Sequence, residues 1–300
     1  MCRHLAWLGP ERPLAEVLLD PPHSLFRQSW EPRRQRHGTV NADGFGFGWY
    51  EPGRPSPARY RRAVPIWADG NVPDLARSLR SGAVLAAVRD ATAGTSAEES
   101  AAAPFRAGPW LFSHNGAVPD WRRLPDDLLS ASVASTASAA ADGIESGRAA
   151  GREGGHAARR QDTHAAGRQD GHAVGPLPAA ALLDLEAGSD AALLWALVHH
   201  RLAAGADPGA ALAAVVAQVA AVRPTARLNL LLTDGHTIAA TTWGDTLSYR
   251  WGQGHAPPTG TGPGGTDPAA ADPAADPNSA LPSAPSNNPD APTPTILVAS

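Results

Sequence analysis

The chain has 300 residues, a formal net charge of −4 and 25 basic residues, every one of them arginine. Gly 30, Pro 29 and an alanine-heavy apolar fraction imply that the ordered part is shorter than the whole, and the single cysteine excludes both an internal disulfide framework and a zinc site built on several thiolates. With no basic stripe, no N-terminal apolar h-region and no run approaching ~18 apolar residues, the composition predicts a soluble cytoplasmic protein with neither nucleic acid nor membrane as partner.

The lone cysteine is Cys2, in Met1-Cys2-Arg3-His4. Removal of the initiator methionine would make it N-terminal, placing a thiol nucleophile and an α-amine that titrates near pH ~8 on one residue. His4 is a rival base, because positions i and i+2 of a strand share a face. His4 to Gly9 reads as a strand ended by a Gly-Pro turn, and Pro13 to Leu19 as a short helix stopped by Pro21-Pro22. His23 to His37 reads as loop with Phe26 and Trp30 as anchors.

Asn41 to Tyr50 alternates Phe and Trp with Gly, which suits a strand closely approached by another backbone. It is no phosphate loop, since Pro52-Gly53-Arg54-Pro55 forbids the helix that such a loop requires. Leu75 to Leu79 follows Asp74 as a helix, and Val84 to Arg89 is a buried-strand candidate. Arg89 is either a salt-bridge residue or a fork for a carboxylate. Trp110 to Val118 is another strand, in which Asn115-Gly116 is either a tight turn or an oxyanion hole made of an amide and a backbone N–H.

From Ala131 the sequence becomes Ala/Ser-rich, then repeats an octapeptide three times, Ala150–Ala157, Ala158–Ala165 and Ala166–Ala173, with His156, His164 and His172 in register. These units lack the apolar bulk to stack, so a disordered insertion is expected. Ser189-Asp190 caps a helix to about Gly205, and a second helix follows Asp207-Pro208 to about Val222. Leu228 to Trp243 reads as a hairpin, Leu247 to Trp251 as a third strand, 252–293 as Pro/Gly-rich linker, and Thr295 to Ala299 as a last strand.

Taken together, Cys2, Arg89, Asn115-Gly116 and Asp190 resemble the class II, N-terminal-cysteine glutamine amidotransferases of the Ntn-hydrolase superfamily. The wording of residues 1–9, 37–46, 112–116 and 188–190 is most similar to their ergothioneine-biosynthesis amidohydrolases. The resemblance implies an α+β fold, a four-layer αββα sandwich, as a single domain over 1–300 with disordered insertions at 131–176 and 252–293. It implies Cys2 as nucleophile, Asn115 and Gly116 as oxyanion donors, Arg89 on the substrate α-carboxylate, Asp190 on its α-ammonium and Thr92 supporting the glutamyl end.

The implied partner is a small-molecule γ-glutamyl substrate, γ-glutamyl-hercynylcysteine sulfoxide in these relatives, cleaved to glutamate and hercynylcysteine sulfoxide with no cofactor and no metal. A homo-oligomer is compatible with this reading. A glutaminase subunit feeding ammonia to a separate synthase, a hydrolase of glutathione-like peptides and an inactive scaffold are the alternatives. Three departures stand out: Ala93-Gly94 replaces the family's His-Gly, Asp90 adjoins Arg89, and the expected final strand would be an unsupported edge in a truncated product.

Overall fold

The computed structural model describes residues 2–33, 35, 38–92, 94–134, 175–253 and 294–300. Its strands are β1 (Arg3–Pro13), β2 (Phe45–Trp49), β3 (Ala58–Arg62), β4 (Arg80–Val88), β5 (Phe105–Ala107), β6 (Trp110–Ala117), β7 (Arg227–Thr233), β8 (Ile238–Ala240), β9 (Ser248–Gln253) and β10 (Pro294–Ala299). The helices are α1 (Ala15–Leu18), α2 (Leu25–Gln28), α3 (Val72–Ser78), α4 (124–134), α5 (Ala179–Leu183), α6 (Asp190–Ala203) and α7 (Pro208–Val222). The strands form two antiparallel sheets, β3-β2-β4-β1-β10-β9 and β5-β6-β7-β8.

Strict alternation along the central strands generates the layers. In β1, Leu5 packs outward with Val84, Ala86 and Val88 of β4 and Phe45 and Phe47 of β2, against Leu18 of α1, Leu25 of α2 and Val72 of α3. Their neighbours in sequence, Ala6 and Leu85, face the other way and meet Leu111 of β6, Leu231 of β7 and Val298 of β10. Phe112, Leu228, Leu230 and Leu232, on the far side of the second sheet, bury the apolar faces of α6 and α7. A period of two in each strand thus yields helix, sheet, sheet and helix layers, each buried Leu or Phe contributing about 1.5–3 kcal/mol.

Several local expectations change. The Gly9-Pro10 turn is instead a register shift between Leu8 and Arg12, through which β1 continues to Pro13; the bulge accommodates a proline that has no N–H to give the ladder. The stretch 23–37 contains α2, capped by the Ser24 hydroxyl accepting from the Arg27 N–H at 3.2 Å. Gly46 does meet another backbone: a Cβ there would sit 2.4 Å from the Ala103 carbonyl oxygen.

The hairpin β7-β8 lies in the second sheet, whereas β9 crosses to the first by pairing with β10. The last strand is no edge, for β10 lies between β1 and β9. The boundary expected at 131 falls inside α4, and that at 252 inside β9. The octapeptide repeat and Ala93 lie outside the described residues.

Candidate active site

At one end of the sandwich, a cavity of about 30 Å³ is lined by Cys2, Arg89, Thr92, His114, Gly116 and Asp190, among others. These residues come from the start of β1, the end of β4, the loop beyond it, the end of β6 and the first turn of α6. Five of the six residues expected to share a site therefore line one cavity. Asn115 does not: its amide turns to Ser300, donating to that hydroxyl at 2.7 Å, while its Oδ1 is buried and unpartnered among the described residues.

Cys2 is half-buried, and its thiol donates to the Asp90 carbonyl at 3.8 Å. Burial pushes that thiol up from its ordinary value, so it rests protonated. His4 is fully buried beneath it in the strand, sharing a hydrogen bond with the Ser113 hydroxyl at 3.1 Å across the sheets. Burial first, then His114 and Arg3, push His4 down to about 3. A base that weak is poorly matched to neutral pH.

The His4 shift has a consequence for stability. Because the unfolded chain takes up a proton on this imidazole near 6.5 and the folded chain only near 3, the stability tied to neutral His4 is complete above pH 6.5. It is lost as the pH falls toward 3, at about 1.4 kcal/mol per unit of separation. His4→Gln, which retains a polar partner for Ser113, flattens the thermal midpoint over that window in melts recorded at stepped pH; an unchanged slope assigns the acid sensitivity elsewhere.

Arg89 is buried, and its guanidinium donates to three neutral oxygens: Asp43 O at 3.3 Å, Thr95 Oγ1 at 2.9 Å and Ser96 O at 2.7 Å. None of these three neutralises its charge, so the group is poised for an anion. Asp190 stands at the N-terminus of α6, where Ser189 is the cap, accepting from the Ala192 N–H at 3.2 Å. Its carboxylate accepts the Val118 N–H at 3.0 Å and the Ala191 N–H at 2.9 Å, and lies 4.0 Å from His114 Nδ1. The segments that carry Arg89's partners and Asp190 are tied together, since the Ser96 N–H donates to the Gly188 carbonyl at 3.0 Å. Arg59 and Arg61 of β3 both grip Glu186 at 2.7 Å, fastening the segment that leads to Asp190.

Gly116 is not in a turn but paired in β6 opposite Leu228. The Leu228 N–H donates instead to Trp243 O at 2.8 Å, so this pair exchanges no ladder bonds, and the Gly116 N–H leaves β6 on the edge away from β7. That edge is open, because β5 pairs only with residues 110–112.

Thr95, Ser96 and His114 adjoin Arg89 and Asp190, a placement that residue type alone does not reveal. The only hint was that His114 sits within Ser113-His114-Asn115-Gly116; its Nε2 donates to the Arg227 carbonyl at 2.9 Å, which fixes the tautomer. Among the described residues, no group of three or more His, Cys, Asp or Glu is placed to hold a metal ion, and no helix is long and apolar enough to cross a membrane.

The cavity thus brings together an N-terminal-region thiol, an open backbone N–H, a buried guanidinium and a buried carboxylate. The class-II glutamine amidotransferase family model matches residues 15–141, and the chain belongs to that family as an amidohydrolase. It is 39% identical over 248 residues to the gamma-glutamyl-hercynylcysteine sulfoxide hydrolase of Mycolicibacterium smegmatis, covering 83% of this chain and 82% of that one. It is 37% identical to the protein of the same name from Mycobacterium tuberculosis, covering 83% and 79%. A solved glutamine aminotransferase class-II domain protein from Silicibacter pomeroyi is 21% identical, with 83% and 82% coverage and a TM-score of 0.49.

Proposed function

We propose that the chain hydrolyses γ-glutamyl-hercynylcysteine sulfoxide to glutamate and hercynylcysteine sulfoxide, with Cys2, freed of Met1, as nucleophile. The observation that carries the reading is the convergence of Cys2, Arg89, Gly116 and Asp190 on one cavity. The relatives' names support the choice of substrate.

A glutamyl group enters this cavity past Thr92 and Thr95, which line it. Its α-carboxylate then replaces Thr95 Oγ1 and Ser96 O on the Arg89 guanidinium, and its α-ammonium pairs with Asp190. Thr92, exposed at the mouth, closes over the glutamyl end. Cys2 Sγ attacks the γ-carbonyl while the Cys2 α-amine takes the thiol proton. The developing oxyanion is met by the Gly116 N–H and by Asn115, whose Nδ2 exchanges Ser300 for it. The α-ammonium protonates the leaving amine, the C–N bond breaks, and a thioester remains. Water, activated by the same amine, cleaves it.

The test is a mass-spectrometric comparison of γ-glutamyl-hercynylcysteine sulfoxide, glutamine and glutathione with the purified chain. The expected result is a kcat/KM for the sulfoxide at least about 100-fold above the other two. Preferred hydrolysis of glutamine, rising when a separate synthase is added, overturns the reading in favour of an ammonia-supplying subunit.

A further inference from the structure

Cys2 and Arg3 are consecutive, so their side chains leave β1 on opposite faces. While Cys2 lines the small cavity between the sheets, Arg3 lines a second one of about 350 Å³, walled by α2, the segment after it, the start of β9 and Ser300. Arg3 is only 8% exposed, yet its Nε and Nη2 have no hydrogen-bond partner among the described residues. A buried guanidinium left in this way is costly unless an anion completes it.

The surrounding charges leave room for that anion. Of the other groups lining the cavity, Arg27 and Glu31 neutralise each other at 2.8 Å, while Arg33 adds an exposed guanidinium. Asp245 acts on Arg3 through space only, and its own Oδ2 is likewise buried without a partner. The cavity is therefore lined by a guanidinium with two nitrogens lacking hydrogen-bond partners among the described residues and with Asp245 as a through-space counter-charge only.

The second cavity is also connected to the chemistry. Arg3 is one residue, about 3.8 Å along the backbone, from the nucleophile. Ser300, which lines the cavity, accepts the hydrogen bond from Asn115 and sends its N–H to the His4 carbonyl at 3.2 Å. Ser300 thus joins the wall of this cavity to the amide of Asn115, which adjoins Gly116 of the first cavity.

We propose that Arg3 and its cavity bind the carboxylate of the leaving half, making the enzyme selective for γ-glutamyl amides of α-amino acids over amides with uncharged leaving groups. The inference rests on the γ-glutamyl hydrolase reading above and adds the half of the substrate that Arg89 and Asp190 do not touch. In such a substrate the carboxylate is attached to the carbon bonded to the scissile nitrogen. At about 350 Å³ the cavity lies in the size range of small-molecule pockets.

The experiment compares γ-glutamyl-alanine with γ-glutamyl-ethylamide, which differ only by that carboxylate, using the wild-type chain, Arg3→Gln and Arg3→Lys. The wild type is expected to favour γ-glutamyl-alanine in kcat/KM by about 30-fold or more, and Arg3→Gln to cut that preference at least tenfold, with Arg3→Lys intermediate because it keeps the charge but loses the fork. Equal kcat/KM for the two probes in the wild type overturns the proposal even if the variants fail to fold. A preference that survives Arg3→Gln overturns the role of Arg3. Hydrolysis of neither probe, with the hercynylcysteine sulfoxide amide also inert, is instead a failure of the underlying γ-glutamyl hydrolase reading.

Discussion

Cys2→Ala lowers kcat on γ-glutamyl amides by about 10⁴-fold or more, and a chain that retains Met1 loses activity to a comparable degree. Both expectations follow from the state of the thiol. Burial holds it protonated, so it needs a proton acceptor within reach. The imidazole best placed by sequence, His4, is disqualified by its surroundings: fully buried, bonded to Ser113 and pushed down to about 3. The α-amine of a processed Cys2, titrating near pH ~8, is the base that the proposed mechanism assigns instead. Intact-mass measurement paired with turnover checks this directly. Full activity in protein that retains Met1 removes the amine from the mechanism, and full activity in Cys2→Ala removes the thiol.

The parts of the site that could be read in advance are those whose chemistry is local. Cys2 is the lone cysteine beside a start signal, Ser189-Asp190 has the form of a helix cap, and the apolar run before Arg89 is long enough for a buried strand. Each of these was legible because neighbouring residues alone determine it. The remainder depends on partners far away in sequence. Arg89 is a poised cation only because Thr95 and Ser96 fold back onto it with neutral oxygens. Asn115 turns from the cavity toward Ser300, 185 residues later.

Among the strands, β3 escaped notice because Ala58–Arg62 carries three arginines and shows no apolar alternation, two of them being spent on Glu186. The crossing of β9 to the first sheet follows from its pairing with β10 across some 40 residues, which no local propensity encodes. Asn115-Gly116 illustrates the same limit most sharply, for a dipeptide that ordinarily marks a turn is held extended by pairing with β7.

That dipeptide carries the second large effect: Gly116→Ala is expected to lose activity by about 10²-fold or more and to destabilise the fold by about 2–4 kcal/mol. A Cβ at this position would lie 1.9 Å from the Arg227 carbonyl oxygen, 2.6 Å from its carbon and 2.7 Å from His114 Nε2. None of these is the free end of a flexible chain. The carbonyl belongs to β7 and already accepts from His114 at 2.9 Å, so relief requires β6 and β7 to part where they position the open Gly116 N–H. The same displacement moves His114 relative to Asp190, 4.0 Å away, the residue proposed to pair with the substrate ammonium. Denaturant melts and steady-state kinetics measured on one preparation separate the two losses. If kcat stays within threefold of wild type while the midpoint falls, the Gly116 N–H is a structural group and the oxyanion assignment fails; if kcat falls in protein that remains folded, as judged by an unchanged denaturant slope, the assignment stands.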